Sequence, residues 1–424
     1  MGFDSSIAGV CTRLLHQELV VAMGCTEPVS IAYAAAYARH VLGKMPQRIQ
    51  VLCSGNVIKN AKAVTVPKTG GLRGIEAAAM AGTISGQPQL QLEVLSQLTD
   101  DDRALLTRLL SEDIVTVKHL KSEHMLHIVV KAQYEDEEAS VEIVDSHTGV
   151  GEVWHNGEKL QDRCRPQNSA APSETPRLSV QAILQYADTV DLDEVRDVLQ
   201  RQIDCNSQIS EEGLSGMWGS CVGQTLAGMD RQSLYTRLKM AAAAGSDARM
   251  NGCALPVVIN SGSGNQGMTA SLPVIQYARH LGADNDKLLR ALCVSNLVSL
   301  HQKAGIGRLS AYCGVVCAAT GSAAAIAYLD GADYNCIANT IINSIANAGG
   351  MVCDGAKSSC AAKIATALES ALLGYEMAKE GRHFLPGEGI VKEDVEKTIQ
   401  SVGRMASVGM RATDAEILAI MLDD

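Results

Sequence analysis

Residues 308–325 read RLSAYCGVVCAATGSAAA, and no residue from Ser310 to Leu329 is charged. The length of that uncharged run suits a membrane span. Its composition does not, because Ala, Gly, Ser, Thr and Cys add little insertion energy compared with Leu or Phe. The run therefore reads as a buried helix inside a tightly packed helical region. The residues around it agree: from Leu178 onward, Ala/Leu-rich periodic segments alternate with glycine-rich breaks, the pattern of a helical domain. Aromatic residues make up only 3% of the chain. The core must then be filled by Ala, Leu, Val, Ile and Met, and small residues let helix backbones approach closely.

The N-terminal part reads differently. Residues 7–23, 28–42 and 74–85 are expected as helices, and 48–67 (RIQVLCSGNVIKNAKAVTVP) as strand and turn. SQLTDDDRALLTRLLSE is an amphipathic helix with an acidic first turn, favoured by the helix dipole. The β-branched, alternating runs DIVTVKHL, HMLHIVVKAQY and ASVEIVDSHTG predict an antiparallel meander, and Asn156-Gly157 a hairpin turn. The expected class is α+β. An N-terminal α/β domain with an antiparallel sheet spans 1–165, a Pro/Ser-rich linker 166–177, and an all-helical domain 178–424. A chain of 424 residues agrees with two domains.

The formal net charge of -11 argues against nucleic-acid or anionic-membrane partners. The N-terminus lacks a basic segment followed by a long apolar one, so a cytoplasmic location is expected. In that reducing compartment the thirteen cysteines are not expected as disulfides, and most are small buried hydrophobes. A homodimer is expected from size alone.

Four cysteines stand apart. Cys25, in MGCTEPVSIAYAAAYARHV, falls beside a helix start, where Thr26 can cap and Pro28 is tolerated. Unpaired N–H groups there favour a thiolate, which can act as base, nucleophile or metal ligand. Cys353 and Cys360, in GGMVCDGAKSSCAAKIA, lie on a loop and in the first turn of the helix it leads into; Cys313 joins them from residues 308–325. Three thiolates suit a soft centre, iron–sulfur or zinc. Cys317, four residues after Cys313, shares its helix face and competes for ligation. Between the cysteines, Ser261 to Gly267 (SGSGNQG) can turn successive N–H groups toward a carboxylate or phosphate. Arg249 can grip a carboxylate in bidentate fashion, and Ser261, Ser263 and Asn265 are candidate substrate contacts.

Weaker signals are a polar loop at Ser207–Gly219, strand-borne His119, His124 and His127 without zinc spacing, and Lys303 and Lys357 near glycine loops. The bland alternatives are a thiol protein that holds zinc or senses redox state, and a pyridoxal-phosphate lyase using one of those lysines.

Together, MGCTEPVSIA, NSGSGNQGMTA, RLSAYC and MVCDGAKSSCAAKIAT resemble the L-cysteine desulfidase family, which is related to the iron–sulfur L-serine dehydratases through their alpha-chain domain. The resemblance covers essentially the whole chain. It implies a [4Fe-4S] lyase that converts L-cysteine to pyruvate, ammonia and hydrogen sulfide. Cys313, Cys353 and Cys360 then correspond to the cluster ligands and Cys25 to the proton acceptor. The neighbouring expectation is an iron–sulfur L-serine dehydratase.

Overall fold

A computed structural model describes residues 5–161, 178–230 and 232–422. The expected linker at 166–177 lies outside the described residues. The N-terminal part runs α1 (Ser5–Glu18), β1 (Val21–Met23), α2 (Thr26–Leu42), β2 (Arg48–Cys53), α3 (Gly55–Ala61), α4 (Gly74–Ser85) and α5 (Asp100–Leu110). Strands β3 (Val115–His119), β4 (His127–Tyr134), β5 (Glu137–Val144), β6 (Val150–His155) and β7 (Glu158–Gln161) follow. The C-terminal part is helical: α6 (Val180–Thr189), α7 (Arg196–Ser215), α8 (Val222–Asp230), α9 (Leu234–Met250), then the short strand β8 (Pro256–Val258), α10 (Gly264–Leu281) and α11 (Asn285–Ile306). Helices α12 (Val315–Leu329), α13 (Tyr334–Ala348), α14 (Cys360–Lys379), α15 (Val395–Arg404) and α16 (Arg411–Leu422) complete it. The mixed α+β class holds.

Strands β3-β2-β4-β5-β6-β7 form one sheet in that order. It is not wholly antiparallel: β2 pairs β3 in parallel, because helices α3 to α5 intervene and carry the chain back to the same end. Arg48–Cys53 and His127–Tyr134 alternate buried and more exposed positions, and α2 and α4 cover the inner face. Two further local readings are corrected. The first helix stops at Glu18, because Val21–Met23 pairs antiparallel with Pro256–Val258, a partner more than 200 residues away. The segment after β2 is helical, not a continuing strand and turn.

Small residues fill the helical core as the low aromatic content requires. A Cβ on Gly82 of α4 would lie 2.0 Å from the Ala32 carbonyl oxygen of α2, and one on Gly321 of α12 would lie 2.4 Å from that of Ser295 in α11. Both helix pairs are in backbone contact, which only glycine permits. Helix α12, the uncharged run, is packed by α10, α11, α13 and α14 and buried nearly throughout. At 15 residues it is a core helix, and among the described residues no helix is long and apolar enough to cross a membrane. Residues 207–215 continue α7, so the polar loop expected at Ser207–Gly219 is helical over most of its length.

A buried amide network positions the C-terminal part of the site. Asn206 of α7 accepts from Val258 N at 2.9 Å and donates to Val258 O, acting as a surrogate strand for β8. Asn260 just beyond donates to Asn296 Oδ1 at 2.9 Å, and Asn296 exchanges hydrogen bonds with Gln202. The loop after β8 is thereby fixed to two helices.

Candidate active site

Residues 260–263 form a two-residue hairpin. Asn260 N and Ser263 N each donate to the other's carbonyl, and Ser261 (φ 50°) and Gly262 (φ 75°) both adopt left-handed backbone, as a type I′ turn needs. Ser263 then caps α10 by accepting from Gln266 N. The SGSGNQG run is thus a tight turn and a helix start. Its glycines are set by side chains brought against them: a Cβ on Gly264 would meet Arg249 Nε at 2.3 Å, and one on Gly262 would meet His147 Cε1 at 3.0 Å.

A second backbone device holds the cysteines. Tyr312 and Val352 form an isolated antiparallel bridge, with Cys313 N donating to Met351 O (2.9 Å) and Cys353 N to Ala311 O (2.6 Å). Side chains alternate across such a pair, so Cys313 and Cys353 emerge on one face. The Cys313 thiol donates to Cys353. That bond pushes Cys353 below the ordinary thiol range against the effect of burial, and the charges of Lys59 and Lys303 reinforce it. Cys313 is held protonated by the same bond and by burial. Cys360 starts α14, as expected, with its thiol directed to Gly355 O at 3.7 Å.

Cys25, the N-cap residue of α2, faces these cysteines across a cavity of about 90 Å³. The cavity brings together Cys25, Arg249, Ser261, Ser263, Asn265, Cys313, Cys353 and Cys360, every site residue expected from the sequence. Cys317 does not line it; Cys317 is 1% exposed and pushed up to about 11 by burial. His124 and His127 pair with Asp145 and Glu142 on the sheet. Lys357 is tied to Asp354 at 2.5 Å, whereas Lys303 lines the cavity.

One electrostatic expectation is overturned. A helix start should lower the Cys25 thiol, yet burial, and next the Glu27 carboxylate, push it well above the ordinary thiol range. The thiol makes no cap bond and instead donates to Glu27 Oε2 at 3.3 Å.

Glu27 and His147 are site residues that the sequence reading missed. Glu27 Oε1 accepts from Asn60 (3.1 Å) and lies 3.6 Å from His147 Nε2; Oε2 also accepts from Thr26 (3.1 Å). Burial pushes this carboxyl up, but His147 and the hydrogen-bond donors outweigh it and bring it down to about 2. Helix α2 is pinned here from both parts of the chain, by Thr26 to Gly262 O and by Ser30 to His147 O. The available signal was position alone: Glu27 follows Cys25 by two residues, and His147 sits in the turn joining two strands.

Among the described residues no three His, Cys, Asp or Glu side chains converge as a single metal ion requires. The donor set fits a polynuclear group better, since ligands to such a group are spread over several metal atoms. Charge favours the same assignment. Lys303 is 5% exposed, lines the cavity with the three cysteines, and has no carboxylate partner among the described residues. Burial pushes the Lys303 ammonium below its ordinary range and the neighbouring thiols push it back up, so thiolates, or an anionic cluster they hold, would favour its charged form.

Two comparisons place the chain. Residues 89–419 match the serine dehydratase alpha chain family, and the chain belongs to it; it is a serine dehydratase-like protein of the lyase type. It is also similar over nearly its whole length to proteins named UPF0597. It is 48% identical to one from Lachnoclostridium phytofermentans (97% of this chain, 98% of the relative) and 48% identical to one from Desulfitobacterium hafniense (97% and 96%). A third, from Treponema denticola, is 43% identical with 100% of both chains covered.

Proposed function

We propose that the protein is an iron–sulfur lyase that eliminates the β-substituent of L-cysteine, giving pyruvate, ammonia and hydrogen sulfide. The observation that carries the reading is the convergence of Cys313, Cys353, Cys360, Cys25 and Arg249 on one cavity. Cys313, Cys353 and Cys360 would hold a [4Fe-4S] cluster. When bound, such a cluster supplies a Lewis-acidic iron with an open position, which makes sulfide a better leaving group.

The chain's own side chains supply the rest. Arg249 is 2% exposed, and its Nε has no hydrogen-bond partner, which suits it to a substrate carboxylate. Its Nη1 donates to Asn265 Oδ1 at 3.3 Å, so Asn265 orients the guanidinium. Ser261 and Ser263 hold the turn that closes this wall. Cys25 Sγ acts as the thiolate, its own proton having passed to solvent; it takes the Cα proton and hands it to the departing sulfide, which restores the thiolate. The electron pair left on Cα forms the Cα–Cβ double bond, and the C–S pair departs with sulfide. The resulting 2-aminoacrylate tautomerises to an imine, which takes up water to give pyruvate and ammonia.

The family description favours L-serine as the rival substrate, with hydroxide leaving in place of sulfide. Anaerobically purified protein assayed with each amino acid decides. A higher kcat/KM for L-cysteine is expected. A higher value for L-serine would transfer the reading to serine dehydration, and turnover of neither would end it.

A further inference from the structure

Cys25 stands beside one fixed anion and one fixed cation. Its thiol donates to Glu27 at 3.3 Å, and the Arg249 charge lies close enough to act on it. An α-amino acid carries the complementary pair, with carboxylate and ammonium on the same carbon. A side chain that removes the proton from that carbon must therefore sit between a cation and an anion. Glu27 is the one carboxylate among the described residues that line the cavity, where the cations are Arg249, Lys303, Arg308 and Lys363. Its hydrogen-bond donors Cys25, Thr26 and Asn60 are neutral, and the one basic side chain paired with it is His147, 3.6 Å from Oε1.

Besides Arg249 Nε, three buried atoms of described residues that line the cavity lack hydrogen-bond partners: Gln266 Oε1, His147 Nε2 and Tyr312 Oη. Gln266 is 6% exposed and lies flat on the backbone beside Cys313, where a Cβ on Gly314 would come within 2.5 Å of its amide. Buried polar atoms without partners are costly in a native fold, and a bound ligand relieves that cost.

We propose that Glu27 receives the substrate's α-ammonium, with Gln266 Oε1 as a second acceptor, so that Glu27 and Arg249 together select α-amino acids over acids lacking the amino group. For its reaction this rests on the elimination proposed above; for binding it does not.

The test uses two unreactive ligands, L-alanine and propionate, titrated calorimetrically into anaerobically prepared, iron-loaded protein. They differ by the ammonium alone. Wild type should bind L-alanine at least about tenfold more tightly than propionate. Glu27→Gln should weaken L-alanine by about 10- to 100-fold and leave propionate within about threefold, whereas Arg249→Gln should weaken both by about tenfold or more. Gln266→Leu should weaken L-alanine by a smaller factor, about fivefold, again sparing propionate. Equal loss of both ligands in Glu27→Gln would assign Glu27 a structural role and overturn the proposal. Should that variant not fold, the wild-type ratio decides: equal affinity for the two ligands, or no L-alanine binding, overturns it. Failure to turn over either cysteine or serine would sink the elimination reading while leaving this contrast intact.

Discussion

Cys353 and Cys25, on opposite walls of the cavity, are pushed in opposite directions. On the C-terminal wall, Cys353 accepts a thiol hydrogen from Cys313 and feels Lys59 and Lys303, so it is pushed down toward thiolate. On the wall built from α2, burial and Glu27 push Cys25 up, and its proton stays on sulfur. Backbone setting does not explain the difference. Cys25 has the helix start that favours an anion, and Cys353 directly follows the bridge residue Val352, not a helix end. At Cys25 burial, and next the Glu27 carboxylate, outweigh helix position; at Cys353 the Cys313 thiol, and next the Lys59 charge, outweigh burial. Of the three thiols on the C-terminal wall Cys353 alone is pushed toward thiolate; its bond to Cys353 holds Cys313 up, and burial holds Cys360 up.

The most drastic way to break the contrast is to delete a ligand. Cys353→Ala should abolish stable iron and acid-labile sulfide and all turnover with them, whereas Cys317→Ala should retain both; near-normal iron in Cys353→Ala would refute its assignment. Next comes the opposite wall. Cys25→Ala should keep full iron and lose turnover by about 10²- to 10⁴-fold, the usual contribution of a positioned base. Loss of iron in this variant would make Cys25 a fourth ligand and erase the distinction between the walls.

The smallest effect concerns stability. Glu27 is held ionised in the fold, down from an ordinary value of 4.5 to about 2. Its folded-state value is depressed, so its contribution is present in full above the unfolded value and lost as pH falls through the folded one. That contribution is about 3 kcal/mol at neutral pH. Urea denaturation should show the stability gap between wild type and Glu27→Gln narrowing by about that amount between pH 5 and pH 2. A gap independent of pH would mean that the carboxylate is not held ionised by its neighbours.

Much of the architecture was legible because its causes are local. Period-two runs marked the strands, three aspartates marked the first turn of α5, and Asn156-Gly157 marked the β6–β7 turn. Where the reading failed, a distant partner had intervened. Val21–Met23 continues a helical pattern until Pro256–Val258 pairs with it. The β2–β3 pairing is parallel because of what lies between the strands, which neither strand records. In the site, the four cysteines stood out because they sit beside glycine turns and helix starts. Glu27 did not, because an acid in a first helical turn is ordinarily a solvated dipole partner; here it is 6% exposed.

The sequence by itself determined the elements, the small-residue helical core and the identity of the thiols, since each depends on neighbours within a few turns. Tertiary structure decided that those thiols meet, through the bridge of Tyr312 with Val352 and the pinning of α2 to Gly262 and His147. It also decided which of them keeps a proton. The protonation state of a buried group follows from its desolvation and from nearby charge, and both are set by residues far away in the chain.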